Sequence, residues 1–293
     1  MLRRSRPVEG LEKVADFEVV TRDAVRLSAY TVPPSPGADP SATDRNDVQL
    51  VLCHGFTNHS RRPRFVRVVR RWAAAGGPVT AFDFRGHGRS GGASSVGGDD
   101  EVTDLDAVVE RVRSDHPDAT IAVVGFSMGA SVAIRHAALG RHRPGLLVSV
   151  SAVSGWYTRD TTAMRRVHWL IESSTGPAVS RFGLRTRLGA RWVKPPIPPV
   201  EAIASITAIP MLLVHGSDDQ YFGIDHAKSL YAASGERADL WIIDGFGHAE
   251  GAMTPRLASR IHSWVADHAL RRTAPLPPTH DADEHRPSSP VQG

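Results

Sequence analysis

Short apolar runs separated by segments of helical period constrain this chain more than any other feature. The strand expectations are Phe17–Thr21, Val25–Thr31, Val48–Cys53, Val79–Phe84, Thr120–Gly125, Leu146–Val153, Met211–His215 and Leu240–Ile243. The first two lie close together, as an antiparallel edge pair would. The later runs are almost continuously apolar, as strands covered on both faces are. Helical patterns fall between them at 63–75, 99–115, 128–140, 223–234 and 252–270. This alternation predicts an α/β fold: a mostly parallel, doubly wound sheet with right-handed crossovers. Sheets of that kind gather their chemistry at the carboxyl ends of the strands.

A length of 293 residues, 41% of them hydrophobic, is enough for one large domain or two small ones. The composition excludes a collagen-like fibre, wholesale disorder and a disulfide scaffold. A single cysteine, Cys53, cannot close a disulfide within the chain and makes a cysteine-rich metal site impossible. The basic start lacks the apolar stretch of a secretory signal, and no run reaches the roughly 18 apolar residues of a membrane span, so the expected location is cytoplasmic. Residues 1–12 and 272–293 read as disordered tails around an ordered domain at 13–271, and a Pro-rich exposed loop is expected between Val32 and Val48.

All but three of the 35 basic residues are arginines, and the formal net charge is +4. Two clusters stand out. Arg64, Arg67, Arg70 and Arg71 surround the helical stripe Phe65, Val68, Val69 and Trp72; Arg165, Arg166, Arg181, Arg185, Arg187 and Arg191 form the other. A solvated helix face explains such charge, and attraction of phospholipid or an anionic acyl carrier is the functional alternative. No nucleic-acid-binding module accompanies it, so nucleic acid is not an expected partner.

The strongest local signal is Gly125-Phe126-Ser127-Met128-Gly129, with an apolar strand before it and a helical pattern directly after. A strand turning at once into a helix strains the middle residue, and side chains at the flanking glycines would collide. The serine hydroxyl is then held at the sheet edge. The Met128 N–H and the helix N-terminus point toward the same spot, where an oxyanion could develop. A serine nucleophile needs a base, and the base an orienting acid. Gly216-Ser217-Asp218-Asp219 and Asp244-Gly245-Phe246-Gly247-His248 each follow a strand. The order Ser127, Asp219, His248 is the nucleophile–acid–base order of one convergent group of hydrolases. Turn and cap roles are the bland alternative for Asp219 and His248, and adjacent Asp218 competes for the acid's place.

With these motifs in view, the sequence resembles the α/β-hydrolase fold family, in its serine aminopeptidase-like and monoacylglycerol lipase-like branch. The resemblance rests on Val51-Leu52-Cys53-His54-Gly55-Phe56, on Asp83-Phe84-Arg85-Gly86-His87-Gly88-Arg89-Ser90, on the Ser127 elbow, and on the Asp219 and His248 loops. It implies that the backbone N–H groups of Phe56 and Met128 form the oxyanion hole, and that His54 and His87 brace loops. It also implies a small helical cap at about 154–208, inserted after the sixth core strand. Where the family's acid loop continues with prolines, Asp219 is followed by Gln220-Tyr221-Phe222-Gly223. Trp156, Tyr157, Met164 and Trp169 are dense within the cap for a chain with 6% aromatics, and either line an acyl pocket or pack the cap.

Other chemistries fit poorly. His54, His87 and His215 have no compact metal-ligand spacing, so no metal is expected. The glycine-rich stretches at 86–92 and 97–98 lack the Gly-Lys-Ser/Thr of a phosphate loop, and no dinucleotide fingerprint exists, so no cofactor is expected. Cys53 reads as a buried strand thiol, because it points to the face opposite its neighbour His54. The expectation is a serine hydrolase cleaving a carboxylic ester through an acyl-enzyme. Alternatives are a lipid-directed monoacylglycerol lipase, lysophospholipase or acyl thioesterase and, in another class, a non-catalytic ligand-binding protein. The expected partner is a small-molecule or lipid acyl ester.

Overall fold

A computed structural model describes residues 14–35 and 48–273. The expected tails, apart from the helical residues up to Thr273, and most of the Pro-rich connection lie outside the described residues. Eight strands form one sheet: β1 Ala15–Val20, β2 Arg26–Val32, β3 Val48–Cys53, β4 Val79–Phe82, β5 Thr120–Phe126, β6 Leu146–Val150, β7 Met211–Gly216 and β8 Asp239–Ile243. Their order is β1-β2-β4-β3-β5-β6-β7-β8. β1 pairs antiparallel with β2, and β2 antiparallel with β4. From β4 to β8 every pairing is parallel. The strand order reverses between β3 and β5, which opens a crevice at their carboxyl ends.

The helices are α1 Pro63–Ala74, α2 Asp99–Asp115, α3 Met128–Leu139, α4 Thr162–Glu172, α5 Gly176–Gly183, α6 Pro199–Ala204, α7 Ile224–Ala233, α8 Ala249–Ala252 and α9 Pro255–Thr273. Alternation along each central strand splits the core into two layers. Leu50, Leu52, Val124 and Phe126 pack with Phe65, Val69 and Trp72 of α1 and with Ile261 and Val265 of α9. Val51, Cys53 and Val123 face the other way, onto Leu105 and Val108 of α2 and Val132 of α3. Because both faces are covered, β3 to β7 are buried at every position but Thr120. The continuous apolar runs follow from that burial.

Two expectations need correction. The run at 240–243 is not covered on both faces: β8 is the sheet edge, with Ile242 exposed and Trp241 sheltered under the Arg260 guanidinium, 4.0 Å from the ring centroid. The helix expected at 252–270 starts three residues later, as α9 at Pro255, and a separate short turn, α8, precedes it at Ala249–Ala252. Pro255 disfavours helical backbone at the preceding residue, and Thr254 instead caps the new helix, its Oγ1 accepting the Leu257 N–H at 3.1 Å.

Between β6 and β7 the strand–helix rhythm gives way to α4, α5 and α6. This segment touches the loop after β4 through single bridges, His87 to Thr186 and Ser94 to Leu188. No helix among the described residues is long and apolar enough to cross a membrane.

Candidate active site

Ser127 sits between β5 and α3 with φ 52° and ψ −116°, a left-handed conformation that a side chain adopts only under constraint. The flanking glycines are the reason the turn can close. A Cβ on Gly125 would lie 2.3 Å from the Gly129 carbonyl oxygen, and one on Gly129 would lie 2.4 Å from the Cys53 oxygen. The Ser127 N–H is donated to the Val150 carbonyl at 2.9 Å, which ties the elbow to β6.

The loops after β7 and β8 bring the other two residues to it. His248 Nε2 is 2.9 Å from Ser127 Oγ, and its Nδ1 is 2.8 and 2.9 Å from the two Asp219 oxygens. Asp219 also accepts the Tyr221 and Phe222 backbone N–H groups at 2.8 and 3.1 Å. Burial pushes its carboxyl upward, but the bond to His248, the electrostatic pull of that imidazole and the two N–H groups outweigh burial and hold it below the ordinary carboxylate range. The carboxylate is therefore an acceptor. Nδ1 carries the imidazole proton, and Nε2 is free to accept from the serine. The Tyr221 and Phe222 rings pack on the imidazole at 4.3 and 5.5 Å. Asp218 is exposed and makes no contact with His248; its N–H goes to the Phe246 carbonyl. His215 supports the acid loop, with its Nε2 2.9 Å from the Phe222 carbonyl oxygen.

Phe56 and Met128 both line the cleft that holds Ser127 and His248. The loop carrying Phe56 is held from two sides. His54 Nε2 accepts the Phe84 N–H at 3.1 Å, so Nδ1 is the protonated nitrogen and donates to the Gly55 carbonyl at 2.8 Å. On the other side Glu250 accepts from Asn58 Nδ2 at 2.5 Å and from the Gly55 N–H at 3.3 Å. Neither Asn58 nor Glu250 stands out in the sequence. They are 192 residues apart, and no periodicity or motif joins them.

The Asp83–Ser90 segment is a brace. Asp83 accepts the Ser60 and Arg89 N–H groups at 2.6 and 2.8 Å. Arg85 reaches both Asp23 oxygens at 2.7 and 3.1 Å and bonds Asp104 at 2.9 Å. A Cβ on Gly88, where φ is +48°, would lie 2.2 Å from an Asp83 oxygen. The His54 and His87 rings are 5.0 Å apart and buried, and burial lowers both to about 3, so they are neutral imidazoles at ordinary pH. Among the described residues, no group of three or more His, Cys, Asp or Glu is arranged to hold a metal ion. Cys53 is fully buried, and burial pushes its thiol up out of the reactive range.

The cleft has a volume of about 1330 Å³. Its walls include Trp156, Tyr157, Met164, Val167, Leu170 and Trp192. Trp156 packs against Trp192 with the rings tilted by 59° and their centroids 5.1 Å apart, and it donates its indole N–H to the Pro196 carbonyl at 2.7 Å. Trp169 is the exception among the expected pocket residues. It is absent from the cleft wall and 53% exposed. At about 100° per residue, five positions carry it well round α4 from Met164.

The sequence profile of the family described as "Serine aminopeptidase, S33" matches residues 44–195. A monoacylglycerol lipase of Mycolicibacterium smegmatis is 26% identical over 273 residues, covering 80% of this chain and 91% of the lipase. Among solved structures, the Pyrococcus furiosus esterase Pf2001 superposes with a TM-score of 0.66 at 24% identity, covering 92% of this chain and 97% of the esterase. An α/β serine hydrolase of Xanthomonas campestris, described as without a lid, gives 0.58 at 21% identity, over 91% of this chain and 98% of that one. The structural likenesses speak to fold; the profile speaks to family. The chain belongs to the serine aminopeptidase S33 family and is a hydrolase of the α/β-hydrolase fold.

Proposed function

We propose that the protein hydrolyses carboxylic esters through an acyl-enzyme on Ser127. The observation that carries the reading is the unbroken chain from Ser127 Oγ to His248 Nε2 at 2.9 Å and from Nδ1 to Asp219 at 2.8 Å. His248 takes the serine proton as Oγ attacks the ester carbonyl. Asp219 holds the imidazole in the tautomer this needs and stabilises its charged form. The N–H groups of Phe56 and Met128 receive the developing oxyanion, a contribution of roughly 3 kcal/mol per donor in comparable sites. His248 then gives its proton to the leaving alcohol. Water, activated by the same imidazole, releases the acid.

The segment carrying α4, α5 and α6 acts in this reading as a small cap. Its apolar residues on the cleft wall favour an acyl chain as the part of the substrate held there. That observation supports a lipid-directed variant of the same chemistry, the activity named for the M. smegmatis relative. An acyl chain-length series separates a small-ester esterase from it.

Hydrolysis of a short p-nitrophenyl ester by the wild type and by Ser127→Ala tests the reading, with an aminoacyl p-nitroanilide beside it. The ester should be the better substrate, and the variant should keep its fold and lose activity. Preference for the anilide, or full activity in the variant, would contradict it.

A further inference from the structure

The proposed chemistry leaves one charged group around the cleft unused. Arg62, Arg64 and Arg67 from the start of α1, Arg166 from α4, and Arg191 from the stretch between α5 and α6 line the same cleft as Ser127 and His248. Four of them are exposed and Arg62 is half-buried, which places them on the solvent side of the cleft. Among the described residues, none of these five guanidinium groups has a hydrogen-bond or ion-pair partner. Elsewhere arginines are engaged: Arg85 with Asp104, Arg135 with the Ile197 carbonyl, Arg159 with Glu172 and Arg187 with the Gly92 carbonyl.

The carboxylates that also line the cleft do not neutralise this group. Glu172 is taken by Arg159 at 2.7 Å and by His168 at 2.8 Å. Glu250 is taken by Asn58 and the Gly55 N–H. Among the described residues, the rim therefore carries uncompensated positive charge contributed by three separate stretches of chain, over walls that are largely apolar. A cleft built that way complements an amphiphile with an anionic end. Guanidinium forks match phosphate geometry, and a phosphate, with three oxygens and up to two charges, can be shared by several arginines where a carboxylate serves one or two.

We infer that the substrate is an acyl ester or thioester whose leaving group carries a phosphate, gripped by Arg62, Arg64, Arg67, Arg166 and Arg191 while the acyl chain lies against the apolar wall. This rests on the ester-hydrolase reading and names its substrate class. Two sources present the same chemistry: an acylated glycerol phosphate, and an acyl thioester of a phosphate-bearing carrier.

The test compares octanoyl esters of glycerol and of glycerol 3-phosphate, and octanoyl thioesters of N-acetylcysteamine and of coenzyme A, as kcat/KM at low and high salt. The phosphate-bearing member of at least one pair should lead by about tenfold or more at low salt, and the lead should shrink as salt rises. The pair that shows it identifies the source. In an Arg64→Gln/Arg166→Gln enzyme the lead should fall to within about threefold of parity, mainly through KM. Arg70→Gln removes an exposed charge of the same helix that does not line the cleft, and should keep the lead. Equal rates within both pairs, or a lead the double variant retains, would overturn the inference while leaving ester hydrolysis standing. Loss of all four activities together with failure of Ser127 to react would instead count against the hydrolase reading.

Discussion

Both oxygens of Asp219 face His248 Nδ1, at 2.9 and 2.8 Å, while the side chain of adjacent Asp218 is exposed. The loop after β7 thus offers two carboxylates, and only one meets the imidazole. Asp219→Asn should lower kcat by about 10⁴, because the amide cannot hold the same tautomer. Asp218→Asn should stay within about twofold of wild type, as surface changes away from special features have small effects. Steady-state kinetics of the pair decides it, and comparable losses in both would place the acid wrongly.

Glu250 stands two residues after His248 and bonds the loop that carries Phe56. Its removal should leave the nucleophile in place and loosen the oxyanion side of the site. Glu250→Ala should lower kcat by about tenfold or more with a smaller change in KM, since a displacement near 1 Å can cost 10²-fold. Glu250→Gln, which can still accept from Asn58, should recover most of the loss. An unchanged kcat in the alanine variant would remove Glu250 from the positioning of this loop.

Hydrogen bonds from Arg85, set against a smaller burial effect, hold Asp23 down at about 2. A carboxyl depressed in the folded state adds stability that is present above its unfolded value near 4 and is lost as pH falls through about 2. Asp23 is largely exposed to solvent screening, so the contribution is about 1 kcal/mol. Asp23→Asn should therefore be about 1 kcal/mol less stable than wild type at pH 7. The gap should narrow between about pH 4 and 2 in denaturant unfolding. A gap that does not change with pH would mean that the ion pair is not its source.

The sheet was legible because burial on both faces leaves unbroken apolar runs such as Val48–Cys53, and because helices of period 3.6 lie between them. Ser127 was legible for a steric reason: the two glycines are imposed by close backbone approach, and a local constraint writes itself locally. Asp219 and His248 followed from strand exits. The spacing from Gly216 favoured Asp219 over Asp218 without deciding it, because neighbouring acids in a loop differ only in where the backbone turns them. Asn58 and Glu250 were invisible for the opposite reason, since their contact exists only after the chain has folded. Trp169 was misjudged because aromatic density says nothing about which side of α4 a ring occupies. The start of α9 at Pro255, three residues inside the expected range, was legible in principle from the proline itself.

The central claim is that Ser127 is an activated nucleophile. Labelling of the purified protein with a fluorophosphonate, read by intact mass and peptide mapping, tests it most directly. The account predicts one adduct per chain on the peptide containing Ser127, absent in Ser127→Ala and slowed at least about 10³-fold in His248→Ala. An adduct on another residue, or labelling that survives Ser127→Ala, would contradict it.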